Sequence, residues 1–89
     1  MVDRNEVYEA LDSERAYQNN LWGNGHDLEL RRPEEWLVYM KVYLDKAFEQ
    51  ITVDIDDIAI PNTVNTIRKI TALGVAAMEQ LGAPKREGF

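Results

Sequence analysis

The sequence predicts an all-α fold, a three-helix protomer that assembles into a compact homo-oligomer. Three observations predict it. Apolar residues recur at helical spacing in three separated stretches. The breaks between stretches carry helix punctuation: Pro33 ahead of Glu34 and Glu35, and Gly82 ahead of Pro84. The one segment that alternates apolar and acidic residues, Thr52 to Pro61, has no second strand to pair with and is expected to be an ordered loop. A chain of 89 residues makes one domain, 1–89, whose own core is thin, so assembly would help it.

The first helix is expected to start at Asp3, which has capping-box spacing to Glu6, and to run to about Trp22. Val7, Leu11 and Leu21 point inward. Glu14 and Gln18 fall on the same stripe, with Arg15 one step round. A plain core stripe would be apolar there, so this stretch faces a partner chain, a ligand or a buried polar network. Gly23 to Asp27 form a turn, with glycines and Asn24 to supply left-handed backbone angles.

Pro33 suits the first position of the second helix, and Glu34 and Glu35 suit its positive end. That helix carries Trp36, Leu37, Met40, Tyr43, Leu44, Ala47, Phe48 and Ile51 on one stripe. Asn62 or Thr63 is expected to cap the third helix. It presents Val64, Ile67, Thr71, Val75, Met78 and Leu81 on one face, with Ile70, Leu73 and Ala77 beside it. Gly74, Ala76 and Ala77 allow a neighbouring backbone to approach closely. Gly82 ends the helix. An apolar surface this wide exceeds what two partner helices need.

Composition excludes several classes of function. The absence of cysteine removes disulfides and thiolate zinc sites and fits a reducing cytosol. The N-terminus is charged from Asp3 and carries no apolar signal region, and no apolar run reaches the length of a membrane span. A net charge of −6 repels DNA and RNA polymers, whereas a small anion needs only a few well-placed arginines. His26 is the single histidine, too few for a zinc site and without a serine partner for nucleophilic catalysis. The run Asp54, Asp56 and Asp57 reads as a solvated acidic loop. Glu6-x-x-Glu9 and Glu9-x-x-Asp12 have the spacing of the all-α nucleotide pyrophosphohydrolases. They overlap on one helix, and one helix cannot surround a magnesium ion. No catalytic residue, metal or cofactor is expected.

Aromatic and basic residues remain. Tyr17 and Trp22 close the first helix, Arg31 and Arg32 follow the turn, Arg68 and Lys69 sit mid-way along the third helix, and Lys85 and Arg86 lie near the C-terminus. Aromatic faces stack on nucleobases and arginine forks grip phosphate. The same residues also suit core packing and solvated helix faces.

Two sets of motifs resemble a known family. The first is Ser13-Glu14-Arg15-Ala16-Tyr17-Gln18, Leu21-Trp22 and Trp36-Leu37. The second is Ile67-Arg68-Lys69-Ile70, Ala76-Ala77-Met78-Glu79-Gln80 and Gly82-Ala83-Pro84-Lys85-Arg86. Together they resemble small phage proteins that act as cyclic-oligonucleotide sponges against the bacterial CBASS defence. The resemblance implies a helical homohexamer in the host cell cytoplasm. It would sequester cyclic dinucleotides such as cyclic GMP-AMP between protomers and cyclic trinucleotides such as cyclic triadenylate at separate sites, cleaving neither. It further implies that Tyr17 stacks on a base, that Arg32 beside Arg31 meets a phosphate, and that Arg68 serves the trinucleotide. The family places a hydroxyl one turn after that arginine. Ala72 stands there, with Thr71 beside it.

A cyclic dinucleotide has two bases and two phosphates about a near two-fold axis. A two-fold interface presents each residue twice, so a chain with few basic residues could serve both halves. Two alternatives stay open: a magnesium-dependent nucleotide pyrophosphohydrolase and a helical adaptor that binds only protein.

Overall fold

The computed structural model describes residues 1–22, 30–53 and 59–88. The turn expected over Gly23 to Asp27, with His26, and the acidic run Asp54, Asp56 and Asp57 lie outside them. Three helices account for the described chain: α1 Arg4–Trp22, α2 Pro33–Val53 and α3 Ala59–Leu81, with no strand among the described residues.

Each boundary has a local cause. The Asp3 carbonyl accepts the Val7 N–H at 3.2 Å and so opens α1. The Arg32 carbonyl accepts the N–H groups of Glu35 and Trp36, while Glu35 Oε1 accepts the Arg32 N–H at 3.3 Å. Arg32 is therefore the N-cap of α2, with the Glu35 half of a capping box behind it and Pro33 in the first position. Gly82 closes α3 at φ 115°, its N–H donating to the Met78 carbonyl at 2.9 Å.

Helix takes up both ends of the loop expected over 52–61. Thr52 and Val53 continue α2, and α3 begins at Ala59, ahead of the expected cap at Asn62 or Thr63. Pro61 thereby falls in the first turn of α3, where its missing N–H leaves no bond unmade. β-branched residues cost a helix only a few tenths of a kcal/mol each, too little to stop α2.

α3 is the middle element. α2 lies antiparallel to it, since Trp36 meets Gln80, Met40 meets Gly74, and Gln50 meets Thr66. α1 is bound to α3 by Glu14–Arg68 and Arg15–Glu79, each 2.8 Å. The buried apolar residues are Trp36, Ala47, Ala72, Leu73 and Ala76, with Trp22, Met40, Tyr43 and Ala77 packed around Trp36, Leu73 and Ala76. Removing an indole of this size from water contributes about 4–6 kcal/mol.

The packed face of α3 is not the row that helical spacing singled out. Val64, Ile67, Met78 and Leu81 are about half exposed, and Thr71 is exposed as well. Small Ala72 and Ala76 face inward instead, because α3 must admit α1 on one side and α2 on the other. On α2, Leu37, Leu44, Phe48 and Ile51 likewise stay exposed. On α1 the buried residues are Glu14 and Gln18, while Val7 and Leu21 face solvent. Of the three readings of that polar interruption, the structure has the buried polar network. Among the described residues, a Cβ on Gly74 would meet only Met40 Cε, at 3.6 Å, so no described backbone uses that glycine for a close approach. No described helix is long and apolar enough to cross a membrane.

Candidate functional site

Trp22 ends α1, Arg31 precedes the cap of α2, and Trp36 and Tyr39 lie one turn apart on α2. These four converge. The Arg31 guanidinium lies 5.7 Å from the Trp22 ring centroid, 5.4 Å from that of Trp36 and 5.3 Å from that of Tyr39. The two indoles are 6.3 Å apart and tilted at 56°. Arg15 lies 5.8 Å from the Trp22 centroid as well, so guanidinium groups and indoles succeed one another along this end of the molecule.

Gln80 fixes the arrangement. Its Oε1 accepts the Arg31 main-chain N–H at 3.2 Å and the Trp36 indole N–H at 3.3 Å. The Arg31 side chain has no carboxylate partner among the described residues, and its charge rests against ring faces alone. It therefore keeps its planar fork of N–H donors for an incoming anion. Arg15 is the opposite case. It is bidentate to Glu79 on α3 and also donates to Gln18 and Asn19 on its own helix, at 2.8–3.3 Å, so four of its five N–H groups are occupied.

Three open hollows share the Trp22 ring. One of about 270 Å³ lies between Arg15, Trp22, Arg31 and Gln80. A second, about 180 Å³, is lined by Trp22, Arg31, Tyr39 and Tyr43. A third, about 140 Å³, brings Tyr17 and Lys69 to the other side of Trp22, over Glu14 and Tyr43. Tyr17 is 59% exposed, so its ring is a free face and not a core residue.

The structure thus gathers Tyr17, Trp22, Arg31 and Lys69 into one neighbourhood and leaves three expected residues outside it. Arg32 faces solvent and pairs with Glu34 at 3.0 Å. Arg68 lies on the far side of α1, where its Nε donates to Glu14 at 2.8 Å and its Nη1 to Asn65 at 2.7 Å. Thr71 shares a groove with Arg68, its hydroxyl donating to the Ile67 carbonyl at 2.7 Å. Ala72 is fully buried, so a hydroxyl at that position would point into the core and not toward a ligand.

Sequence reasoning missed Gln80, Glu79 and Tyr39. Gln80 carries no signal of its own, because a glutamine on a helix reads as a surface residue until a buried indole needs an acceptor. Among the described residues, no three acidic or histidine side chains gather as a metal site requires. The chain matches no protein-family model, no curated protein and no solved structure.

Proposed function

We propose that the protein is a non-catalytic sponge that captures cyclic dinucleotides, cyclic GMP-AMP among them, between protomers of a homo-oligomer. The observation that carries this reading is the Arg31 guanidinium, held by the rings of Trp22, Trp36 and Tyr39 and unpaired with any carboxylate among the described residues, in the same neighbourhood as the exposed ring of Tyr17. A base stacked on such a face is worth ~1–3 kcal/mol, and a guanidinium–phosphate bond ~1.5–3 kcal/mol. Arg31 takes a phosphate, Trp22 and Tyr17 take base faces, and Lys69 adds a second positive charge. Arg32, exposed and paired only with the equally exposed Glu34, reaches a ligand held by a neighbouring copy.

The size of the hollows supports the role of a second chain. The largest of the three is about 270 Å³, whereas ligand pockets run to ~300–1,000 Å³. A cyclic dinucleotide laid over them keeps its far side open, and a two-fold partner supplies the same residues there. The homohexamer and the host cell cytoplasm, where capture would silence a CBASS-type defence against phage, follow from the family resemblance. Arg68 and Thr71 are assigned to a second ligand, a cyclic trinucleotide such as cyclic triadenylate. There Arg68 works with the donors that Glu14 and Asn65 leave over.

Calorimetric titration against a panel of cyclic oligonucleotides tests the reading, followed by recovery of the ligand after incubation with magnesium and heat. Intact ligand is expected. Released phosphate or pyrophosphate would replace the sponge with a pyrophosphohydrolase. Failure to bind any nucleotide would leave the exposed apolar rows as the main surface feature and favour a protein-binding adaptor.

A further inference from the structure

We propose that the hollow between Asn19 and Glu79 reads a guanine base, so that the ligands captured are guanine nucleotides. The inference rests on the reading of the Arg31 clamp as a nucleotide site and names the base seated beside it.

One guanidinium assembles the reader. Arg15 Nη2 donates to Asn19 Oδ1 at 3.0 Å and to Glu79 Oε2 at 3.3 Å, and Arg15 Nε donates to Glu79 Oε1 at 2.8 Å. An amide of α1 and a carboxylate of α3 are thereby fixed side by side. The Arg15 side chain is 12% exposed and that of Glu79 53%, so the anchor is largely buried while the carboxylate is open to a ligand. Both acceptors line the hollow of about 270 Å³ that Trp22 and Arg31 also line.

The groups left over set the chemistry. Each Glu79 oxygen accepts one bond from Arg15, and a carboxylate oxygen accepts two. Glu79 therefore offers neighbouring acceptors and no donor. Asn19 spends its oxygen on Arg15, and its amide N–H groups have no partner among the described residues. Gln80 is alike: its oxygen serves Arg31 and Trp36, and its amide N–H groups are left over among the described residues. The hollow thus presents carboxylate acceptors beside amide donors.

Base edges differ in what they bring to such a wall. Guanine alone has two adjacent donors, N1–H and the 2-amino group, next to a carbonyl oxygen, O6. Glu79 takes the donors, and the Asn19 amide meets O6. Adenine and cytosine carry one amino group beside a ring nitrogen that only accepts, and that nitrogen would oppose the carboxylate. Uracil has one N–H between two carbonyls. An exposed carboxylate also opposes the phosphates of any nucleotide, so a base that donates to it is needed to offset the repulsion. Hydrogen bonds to a charged acceptor are the strong ones, and an edge left unpaired carries much of the discrimination.

Calorimetric titration of the native chain with guanosine, inosine and adenosine 5′-monophosphates, and with cyclic di-GMP and cyclic di-AMP, tests it. Guanine ligands should bind at least about tenfold tighter than adenine ligands in both series. Inosine monophosphate, which lacks only the 2-amino group, should fall between. Glu79→Gln turns one acceptor into a donor and should cut the guanine-to-adenine ratio to about threefold or less. A purely structural Glu79 would lower both affinities and leave the ratio. If Glu79→Gln fails to fold, Asn19→Ala, at an exposed position, should narrow the ratio by about threefold. Equal affinity for guanine and adenine ligands, inosine bound as tightly as guanosine, or a native ratio in the folded variants overturns the inference and leaves the sponge standing. A guanine preference among mononucleotides with no cyclic dinucleotide bound upholds it and removes the sponge. Binding of no nucleotide removes both.

Discussion

Arg31→Ala removes the centre of the candidate site, and its two consequences can be sized separately. Three rings stand 5.3–5.7 Å from the guanidinium. A cation–π contact contributes ~0.5–2 kcal/mol according to its desolvation. The three share one cation and do not add, so about 1–2 kcal/mol is the combined loss of stability. In a chain of 89 residues that lowers the melting temperature by about 5–15 °C. Binding should fall further than stability accounts for. Losing a charge-assisted phosphate bond costs ~1.5–3 kcal/mol, about 10- to 150-fold in affinity, and a two-fold pocket would incur it twice. Arg31→Lys keeps the charge and loses the fork, so it should melt closer to the native chain yet bind nearly as poorly as the alanine variant. Melting by circular dichroism and titration with cyclic GMP-AMP measure the two effects. Native affinity in Arg31→Ala would refute the phosphate role, and native melting would refute the clamp.

Three other substitutions separate structure from binding. Tyr17→Ala should melt within about 0.5 kcal/mol of the native chain, because the ring is exposed, and lose ~1–3 kcal/mol of dinucleotide affinity in calorimetry. A Tyr17→Ala variant that unfolds first would make this a packing residue. Gln80→Leu should destabilise by ~1–3 kcal/mol in urea titration, since Trp36 is 2% exposed and its N–H would lose its acceptor. Unchanged stability would mean that another acceptor serves the indole. Gly74→Ala should stabilise by ~0.5–1 kcal/mol, as the added methyl meets only flexible Met40 Cε. A loss of stability there would place a neighbouring chain against Gly74.

The fold was legible where local chemistry decides it. Pro33, Gly82 and the apolar spacing are properties of short segments, and the three helices lie where those signals put them except that α2 runs on to Val53 and α3 starts early, at Ala59. The helix faces were less legible. Apolar residues lie on most sides of α3, and spacing alone does not say which side packs. The choice of Ala72, Leu73 and Ala76 over Ile67 and Val64 follows from the two neighbours that α3 accommodates. The aromatic and basic residues near the turn were legible as a group because Tyr17, Trp22 and Arg31 are close in sequence. Lys69 joins them only through the tertiary packing of α3 beside α1. The division between Arg31 and Arg32 was not legible. Adjacent arginines look alike in a sequence, and only the cap of α2 turns one toward the rings and the other toward Glu34.

The convergence of Trp22 and Trp36 on Arg31 has an optical consequence. These are the only two tryptophans of the chain, so all indole emission arises from this one place. With centroids 6.3 Å apart and planes at 56°, the two rings sit in one asymmetric setting, so their near-ultraviolet dichroic band reports on this place as the emission does. A ligand seated on Arg31 would alter both the emission and that band, while the far-ultraviolet signal is dominated by the three helices. Occupancy and folding can therefore be read from one unlabelled sample, each in its own spectral window.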